Sequence, residues 1–345
     1  MKIVFCTSVL KNGSKTRGVG VYTRELINAL NKTYPHDQFI EAIGNPYTIK
    51  SDLVHYPFFD PFFLTLPWHY QYKTVITIHD LIPLKYPERF RIGLRGRLKW
   101  LIQKYRARFS SAIITDSVSS ANDIERLMGI PTSKIHVVPL SSSSVMTTTL
   151  TSRKVKKLYN LPDKFILYVG DINWNKNILG LLDGFNQVKD QFTHLVLVGK
   201  VWSDKPDIPE FRAIMDKINA SPKKSLIHLL GYIPNHHKGS IYNLSTLYVQ
   251  PSWDEGFGLP ILEAMSLGCP VISSNRGSLG EVGGDAVVYF DPNSNELSKK
   301  IDDLLRSEPK RQELSALGLI QAKKFSWQKT ARATMEVYEK VLSTR

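Results

Sequence analysis

Apolar residues in this chain fall into short runs bounded by glycine, proline and polar clusters. Between the runs lie stretches whose apolar positions recur at helical spacing. Residues 2–6 (KIVFC), 53–55 (LVH), 73–78 (KTVITI), 111–117 (SAIITDS) and 134–139 (KIHVVP) predict strands in the first half. Phe165–Val169, His194–Val198, Leu226–Leu229 and Ala286–Tyr289 predict them in the second. Helical periodicity is clear at Val21, Leu26, Ile27 and Leu30, over residues 120–127, 177–188 and 209–219, and after Asn295 and Ser307. The last segment, Trp327 to Leu342, repeats it with Ala331, Met335, Tyr338 and Val341. Strand-helix alternation in both halves implies an α/β chain with two doubly wound parallel sheets. The polar, irregular tract at residues 141–152 reads as a linker, which puts the first domain at 1–150 and the second at 151–325.

One stretch organises the candidate chemistry. Leu247 to Ser274 reads LYVQPSWDEGFGLPILEAMSLGCPVISS: a strand, a glycine-rich loop with Glu255, a short helix with Glu263, and a strand. Pro260 suits the first helical turn and Gly268 the position just past the helix end. The loop Glu255-Gly256-Phe257-Gly258-Leu259 therefore stands at a helix N-terminus, where backbone N–H groups and the helix dipole attract an anion. Carboxylates can accept paired hydrogen bonds from sugar hydroxyls. A nucleotide sugar, with a diphosphate between two sugars, matches those needs. In the first half, Gly18 and Gly20 just before a helix would let backbone approach a phosphate or sugar, or simply form a strand-to-helix turn. His79-Asp80 ends a strand, where ligands gather in open parallel sheets. The aromatic, proline-broken stretch from Tyr56 to Tyr70 is a loop that packs on its own domain or lines an acceptor pocket.

Charge adds a second question. The net charge is +14, with 19 basic against 10 acidic residues through position 150 and 26 against 21 beyond it. Much of the excess lies in residues 89–109, RFRIGLRGRLKWLIQKYRARF. On a helical wheel Leu94, Leu98, Leu101, Tyr105 and Phe109 share one stripe, and Arg95, Lys99, Trp100, Lys104 and Arg106 fall outside it. A tryptophan on a basic face suits an anionic lipid interface, which makes Arg95, Lys99, Trp100 and Arg106 a candidate membrane surface. A core-packed helix with a solvated, charged back is the other reading. No nucleic-acid motif is present, so nucleic acid is not an expected partner. No apolar run approaches about 18 residues, and the start lacks a signal peptide. Cys6 and Cys269 read as buried reduced thiols. The cytoplasm is the expected location, with peripheral attachment to the inner face of the membrane.

With these residues in place, the chain resembles the retaining glycosyltransferases of family 4. The motif that carries the resemblance is EGFGLPILE, Glu255 to Glu263, followed by SSNRGSLGEVGGDAVVYFDP. RGVGVY at 17–22, TIHD at 77–80, YVGDINWNKN from Tyr168 and LVLVGK from Leu195 support it. His79-Asp80 followed by IPLKYPERF is especially similar to bacterial mannosyltransferases of surface-polysaccharide assembly. The resemblance implies a GT-B fold, two Rossmann-like domains facing a central cleft, with residues 326–345 crossing back to the first domain. It implies that Glu255 holds hydroxyls of the transferred sugar, that the amides of Gly256, Phe257 and Gly258 meet sugar and diphosphate, and that Glu263 binds the ribose. Lys176 would neutralise the leaving diphosphate, His79 would contact the donor sugar, and Gly18 and Gly20 would back the donor. GDP-mannose is the preferred donor by the same resemblance, and a glycan or lipid-linked glycan the acceptor.

One departure stands out. Many relatives carry arginine after the glycine of the 168–170 strand, where this chain has Asp171, so Lys176 acts alone or with Lys200, Arg276 or Arg17. Both glutamates share one loop and helix, which suits gripping a donor better than spanning a scissile bond as a hydrolase pair must. Transfer with retention is expected, the leaving diphosphate itself accepting the acceptor's proton. Neither a metal nor a cofactor is expected, since no Asp-x-Asp stands at a strand end. The competing readings are a nucleotide-sugar epimerase of the same architecture and a non-catalytic sugar- or lipid-binding relative. A dehydrogenase is weaker, because the first loop lacks a full GxGxxG and its acidic partner.

Overall fold

The computed structural model describes residues 1–7, 18–142 and 151–344. They form two compact units, one of Met1–Ser141 with Phe325–Arg345, the other of Ser142–Lys324. In chain order the first unit holds β1 (Lys2–Cys6), α1 (Gly18–Thr33), β2 (Gln38–Ala42), β3 (Leu53–Tyr56), β4 (Lys73–Thr77), α2 (Ile82–Lys85), α3 (Leu94–Arg108), β5 (Ala112–Thr115), α4 (Val118–Met128) and β6 (Ile135–Val137). The second holds α5 (Ser152–Leu158), β7 (Phe165–Val169), α6 (Ile178–Gln187), β8 (His194–Val198), α7 (Val201–Asp204), α8 (Pro209–Ala220), β9 (Ile227–Leu230), α9 (Asn235–Leu244) and β10 (Leu247–Gln250). It continues through α10 (Leu259–Ser266), β11 (Val271–Ser274), α11 (Leu279–Gly283), β12 (Val287–Phe290), α12 (Glu296–Arg306) and α13 (Glu308–Ala322). The final helix, α14 (Trp327–Ser343), packs on α1 in the first unit.

Each unit is built on a six-stranded sheet whose pairings are all parallel. The first runs β2-β1-β3-β4-β5-β6 and the second β12-β11-β10-β7-β8-β9. Strands such as β3 (LVHY), β5 (AIIT) and β10 (LYVQ) are buried along their whole length. Helices cover both faces of such sheets, which is why these strands read as near-continuous apolar runs instead of alternating ones. Strand order reverses between β1 and β3 in the first sheet and between β7 and β10 in the second. Ligands of open α/β sheets bind beyond the carboxyl ends of the strands at such reversals.

A polar chain runs through the interior of the first unit. Tyr338 of α14 bonds His55 Nδ1 at 2.6 Å, His55 Nε2 meets Thr77 Oγ1 at 2.7 Å, and Thr77 meets the Tyr22 hydroxyl at 3.0 Å. Together these bonds tie α14, β3, β4 and α1. Burial, helped by the nearby His79, pushes the His55 imidazole down to about 3. A base lowered in the folded state stabilises the fold fully above its unfolded value, about 6.5. That contribution is lost as pH falls toward 3, because the unfolded chain takes up a proton that the folded one does not. His55→Gln should therefore flatten the stability profile between pH 6.5 and 3, by up to about 1.4 kcal/mol per pH unit. Denaturant midpoints that shift equally with pH in both proteins would remove His55 as the cause.

Helix α3 departs from its expected orientation. The stripe Leu94, Leu98, Leu101, Tyr105 and Phe109 is exposed, and the helix buries Gln103, Arg106 and Ala107 instead. Arg106, expected on a membrane surface, is only 4% exposed. Its guanidinium donates to the Leu66 carbonyl at 2.5 Å and lies 3.7 Å from the centre of the Trp68 ring. Gln103 donates to Thr65 Oγ1 and the Asp60 carbonyl and accepts from the Leu66 amide. Trp100 is partly buried and packs against the core. Trp100 and Arg106 therefore do not form the membrane face expected of them. The reason lies in the aromatic loop between β3 and β4, whose backbone groups need partners once covered. Arg95 stays exposed and Lys99 partly so.

Candidate active site

The strongest constellation lies at the strand-order reversal of the second sheet. From β7 the chain enters a single turn, Trp174–Lys176, and then Asn177 in the left-handed conformation at φ 52°. Asn177 caps α6 by accepting from Gly180 N at 3.2 Å and donates to the Pro251 carbonyl at 3.0 Å. Asn175 donates to the Asp254 carbonyl at 3.0 Å, and its own carbonyl accepts from Trp253 N at 2.7 Å. Three hydrogen bonds thus join the loop after β7 to the loop after β10. Their effect is to set Lys176 against Glu255.

Lys176 Nζ lies 2.8 Å from both carboxylate oxygens of Glu255. Glu255 Oε1 also accepts from Gln250 Nε2 at 2.8 Å and Ser252 Oγ at 2.7 Å. Tyr248 donates to Gln250 Oε1, which orients the amide. Burial, reinforced by Tyr168 and the charges of Glu255 and Glu263, holds the Tyr248 phenol well above its usual range, so it stays a donor. Beneath the loop, Ser278 donates its amide and hydroxyl to the Glu255 carbonyl. Gly277 makes that approach possible. It sits at φ 58°, and a Cβ there would lie 2.3 Å from Asp254 Oδ1 and 2.7 Å from the Glu255 backbone.

Gly258, at φ 96°, precedes α10, Leu259 opens the helix, and Pro260 follows in its first turn. Phe257 is buried and Gly256 partly so. Glu263 sits deeper in α10. Its Oε2 accepts from Tyr242 at 2.9 Å and its Oε1 is 3.8 Å from Lys238 Nζ, both partners on α9. Burial and the Glu263 charge keep the Tyr242 phenol protonated. Asp171 turns its side chain back to Ile172 N at 2.9 Å. Of the cations considered for that position, Lys200 pairs with Asp204 and Arg276 with Asp291, while Arg17 lies outside the described residues.

In the first unit, His79 follows β4 and its Nδ1 lies 2.7 Å from the Asp116 carboxylate, which follows β5 and accepts the hydrogen bond. Its partner is thus Asp116, while Asp80 instead accepts from Ile82 N at 3.0 Å at the start of α2. Burial works against a charged His79 ring. The charges of Asp116 and Asp80, the Asp116 hydrogen bond and the Pro57 carbonyl outweigh it, so its pKa is raised. Gly18 and Gly20 lie within the first turn of α1 and not in a turn before it. Gly18 has open space around it, Gly20 is buried.

Gln250, Ser252, Asn177 and Asp116 do not stand out in the sequence alone. The available signal is weak: polar residues standing just after apolar strands, and two asparagines flanking Lys176. The motif points to the two glutamates and the family resemblance to Lys176. Neither points to their supports.

Two family models match the chain, Glycosyltransferase Family 4 over residues 45–140 and Glycosyl transferases group 1 over 151–318. O-antigen chain mannosyltransferase B of Escherichia coli is 32% identical over 277 residues, covering 77% of this chain and 70% of that protein. The serotype-specific mannosyltransferase WbdA of Escherichia coli is 29% identical over 287 residues, 81% of this chain but 34% of WbdA. The sucrose-phosphate synthase structure from Thermosynechococcus elongatus shares the fold over the whole of both chains, with a TM-score of 0.80 at 19% identity. Anabaena HepE in complex with UDP and glucose gives 0.72 at 15% identity, over 99% of this chain and 100% of that one.

Proposed function

Because the chain belongs to glycosyltransferase family 4 and has the GT-B fold, we propose that it transfers mannose from GDP-mannose to a glycan or lipid-linked glycan, with retention. The observation that carries this reading is the Lys176–Glu255 pair, held at the reversal point between β7 and β10. In the donor complex the diphosphate takes the Lys176 ammonium and the sugar hydroxyls take the Glu255 carboxylate. Each group exchanges a partner it already has for one of similar charge or hydrogen-bonding capacity. Gln250 and Ser252 keep Glu255 oriented through that exchange. Glu263, backed by Tyr242 and Lys238, takes the ribose, and the loop Gly256-Phe257-Gly258-Leu259 lies along the donor. As the glycosidic bond breaks, negative charge builds on the diphosphate. An ammonium already aimed there stabilises it without reorganisation, usually a large contribution to catalysis. The diphosphate oxygen then accepts the acceptor hydroxyl's proton, so no side-chain nucleophile is required.

In this reading His79, set by Asp116, contacts the donor sugar, and Gly18 and Gly20 back the donor. The mannosyl assignment rests on the two Escherichia coli relatives. Charge neutralisation falls to Lys176 and backbone, so turnover should persist in excess EDTA, and its loss with rescue by a divalent cation would contradict that. A thermal-shift series tests the donor. GDP should stabilise the wild-type protein more than UDP does, and Lys176→Ala should lose most of the shift. An equal shift in the variant would count against the diphosphate role.

A further inference from the structure

Helix α3 turns an apolar stripe to solvent. Leu94, Leu98, Leu101, Tyr105 and Phe109 are each between 60% and 84% exposed. At about 100° per residue they fall within one narrow band, opposite the buried Gln103 and Ala107. Arg97 and Arg108 border the band on one side, Arg95 and Lys99 on the other. Residues 89–109 hold eight basic side chains and no acidic one. The loop between β3 and β4 extends the patch with exposed Phe63, Leu64 and Trp68. Lys99 Nζ stands 5.3 Å from the Phe63 ring centre, and Arg106 stacks on Trp68, which ties the loop to the helix. Eight of the eighteen exposed large apolar side chains among the described residues lie in this one neighbourhood, so the exposure is not random scatter.

The charge decides among occupants. A second copy docked through the stripe would bring two cationic rims together, a like-charge contact. A nucleic acid would use the arginines and leave the leucines in water. An anionic bilayer uses both: the apolar stripe enters the headgroup-acyl boundary while the basic rim meets lipid phosphates. We infer that α3 and the Phe63–Trp68 loop form a monotopic anchor for an anionic membrane, inserted by the leucine stripe. The polarity is the reverse of the sequence expectation, since Trp100 and Arg106 point inward. Among the described residues no helix is long and apolar enough to cross a membrane, and this anchor needs none.

The inference is independent of the transfer reaction and is tested without donor or acceptor. The full chain is sedimented with phosphatidylcholine vesicles with and without phosphatidylglycerol. Wild-type protein should sediment with the anionic vesicles and be released by high salt. Leu98→Asp/Leu101→Asp should lower the partition coefficient at least tenfold, and Arg95→Glu/Arg97→Glu severalfold. All four side chains are exposed, and a far-UV circular dichroism spectrum and melting temperature like those of the wild type would report that the variants are folded. Wild-type protein that stays in the supernatant, or an aspartate variant that binds as well, overturns the anchor. So does a wild-type dimer in sedimentation velocity that the aspartate variant disperses, which would make the stripe a self-interface.

Discussion

Glu255→Ala lowers turnover by about a hundred- to a thousandfold, the usual cost of removing one preorganised group from a charge-stabilising site. The variant should still fold. Gln250 and Ser252 remain bonded to each other at 2.7 Å, and the Lys176 side chain, 21% exposed, can find water. Lys176→Ala should cost a similar factor, because the two side chains share one geometry. Groups that act as a unit are strongly non-additive, so the double variant should be little worse than either single one. Initial rates of nucleoside-diphosphate release measure all three. Near-normal turnover in Glu255→Ala would end the role assigned to it. Multiplicative losses in the double variant would mean that Lys176 and Glu255 act separately.

Gly277→Ala produces the largest effect away from the reacting groups. A left-handed residue with a Cβ costs about 1–2 kcal/mol. The new carbon also meets Asp254 and the Glu255 backbone at 2.3–2.7 Å, where backbone must move. The strain falls on the loop that aims Glu255, so activity and stability should drop together. A loss of about 2–4 °C in Tm per kcal/mol is the scale for a unit of this size. A misplacement near 1 Å can cost about a hundredfold in rate. Gly44→Ala is the control, since nothing lies within 4 Å of its added carbon. Wild-type melting and turnover in Gly277→Ala would show that the loop yields without consequence.

The parallel sheets were legible because buried strands such as AIIT and FILYV leave little else for an apolar run to be. Helix α14 was legible as a helix from Ala331, Met335, Tyr338 and Val341, all buried. The orientation of α3 was not. Periodicity gives a stripe but not the side on which the core lies, and here Gln103 and Arg106 are drawn inward by backbone groups of a loop some 40 residues earlier. The same limit hid the supports of the site. Asn175 and Asn177 matter through carbonyls more than 70 residues away, and Asp116 through His79, 37 residues before it. Motif spacing identifies groups that share a loop. It does not identify the partners that another strand brings.

Product analysis by proton NMR is the most direct test of transfer from a donor held by Lys176 and Glu255. The protein is incubated with GDP-mannose, with and without a mannose-terminated acceptor. An α-linked mannoside and free GDP should form in equal amounts, and only when acceptor is present. Conversion of GDP-mannose to another nucleotide sugar without acceptor, or a β-linked product, would contradict transfer with retention.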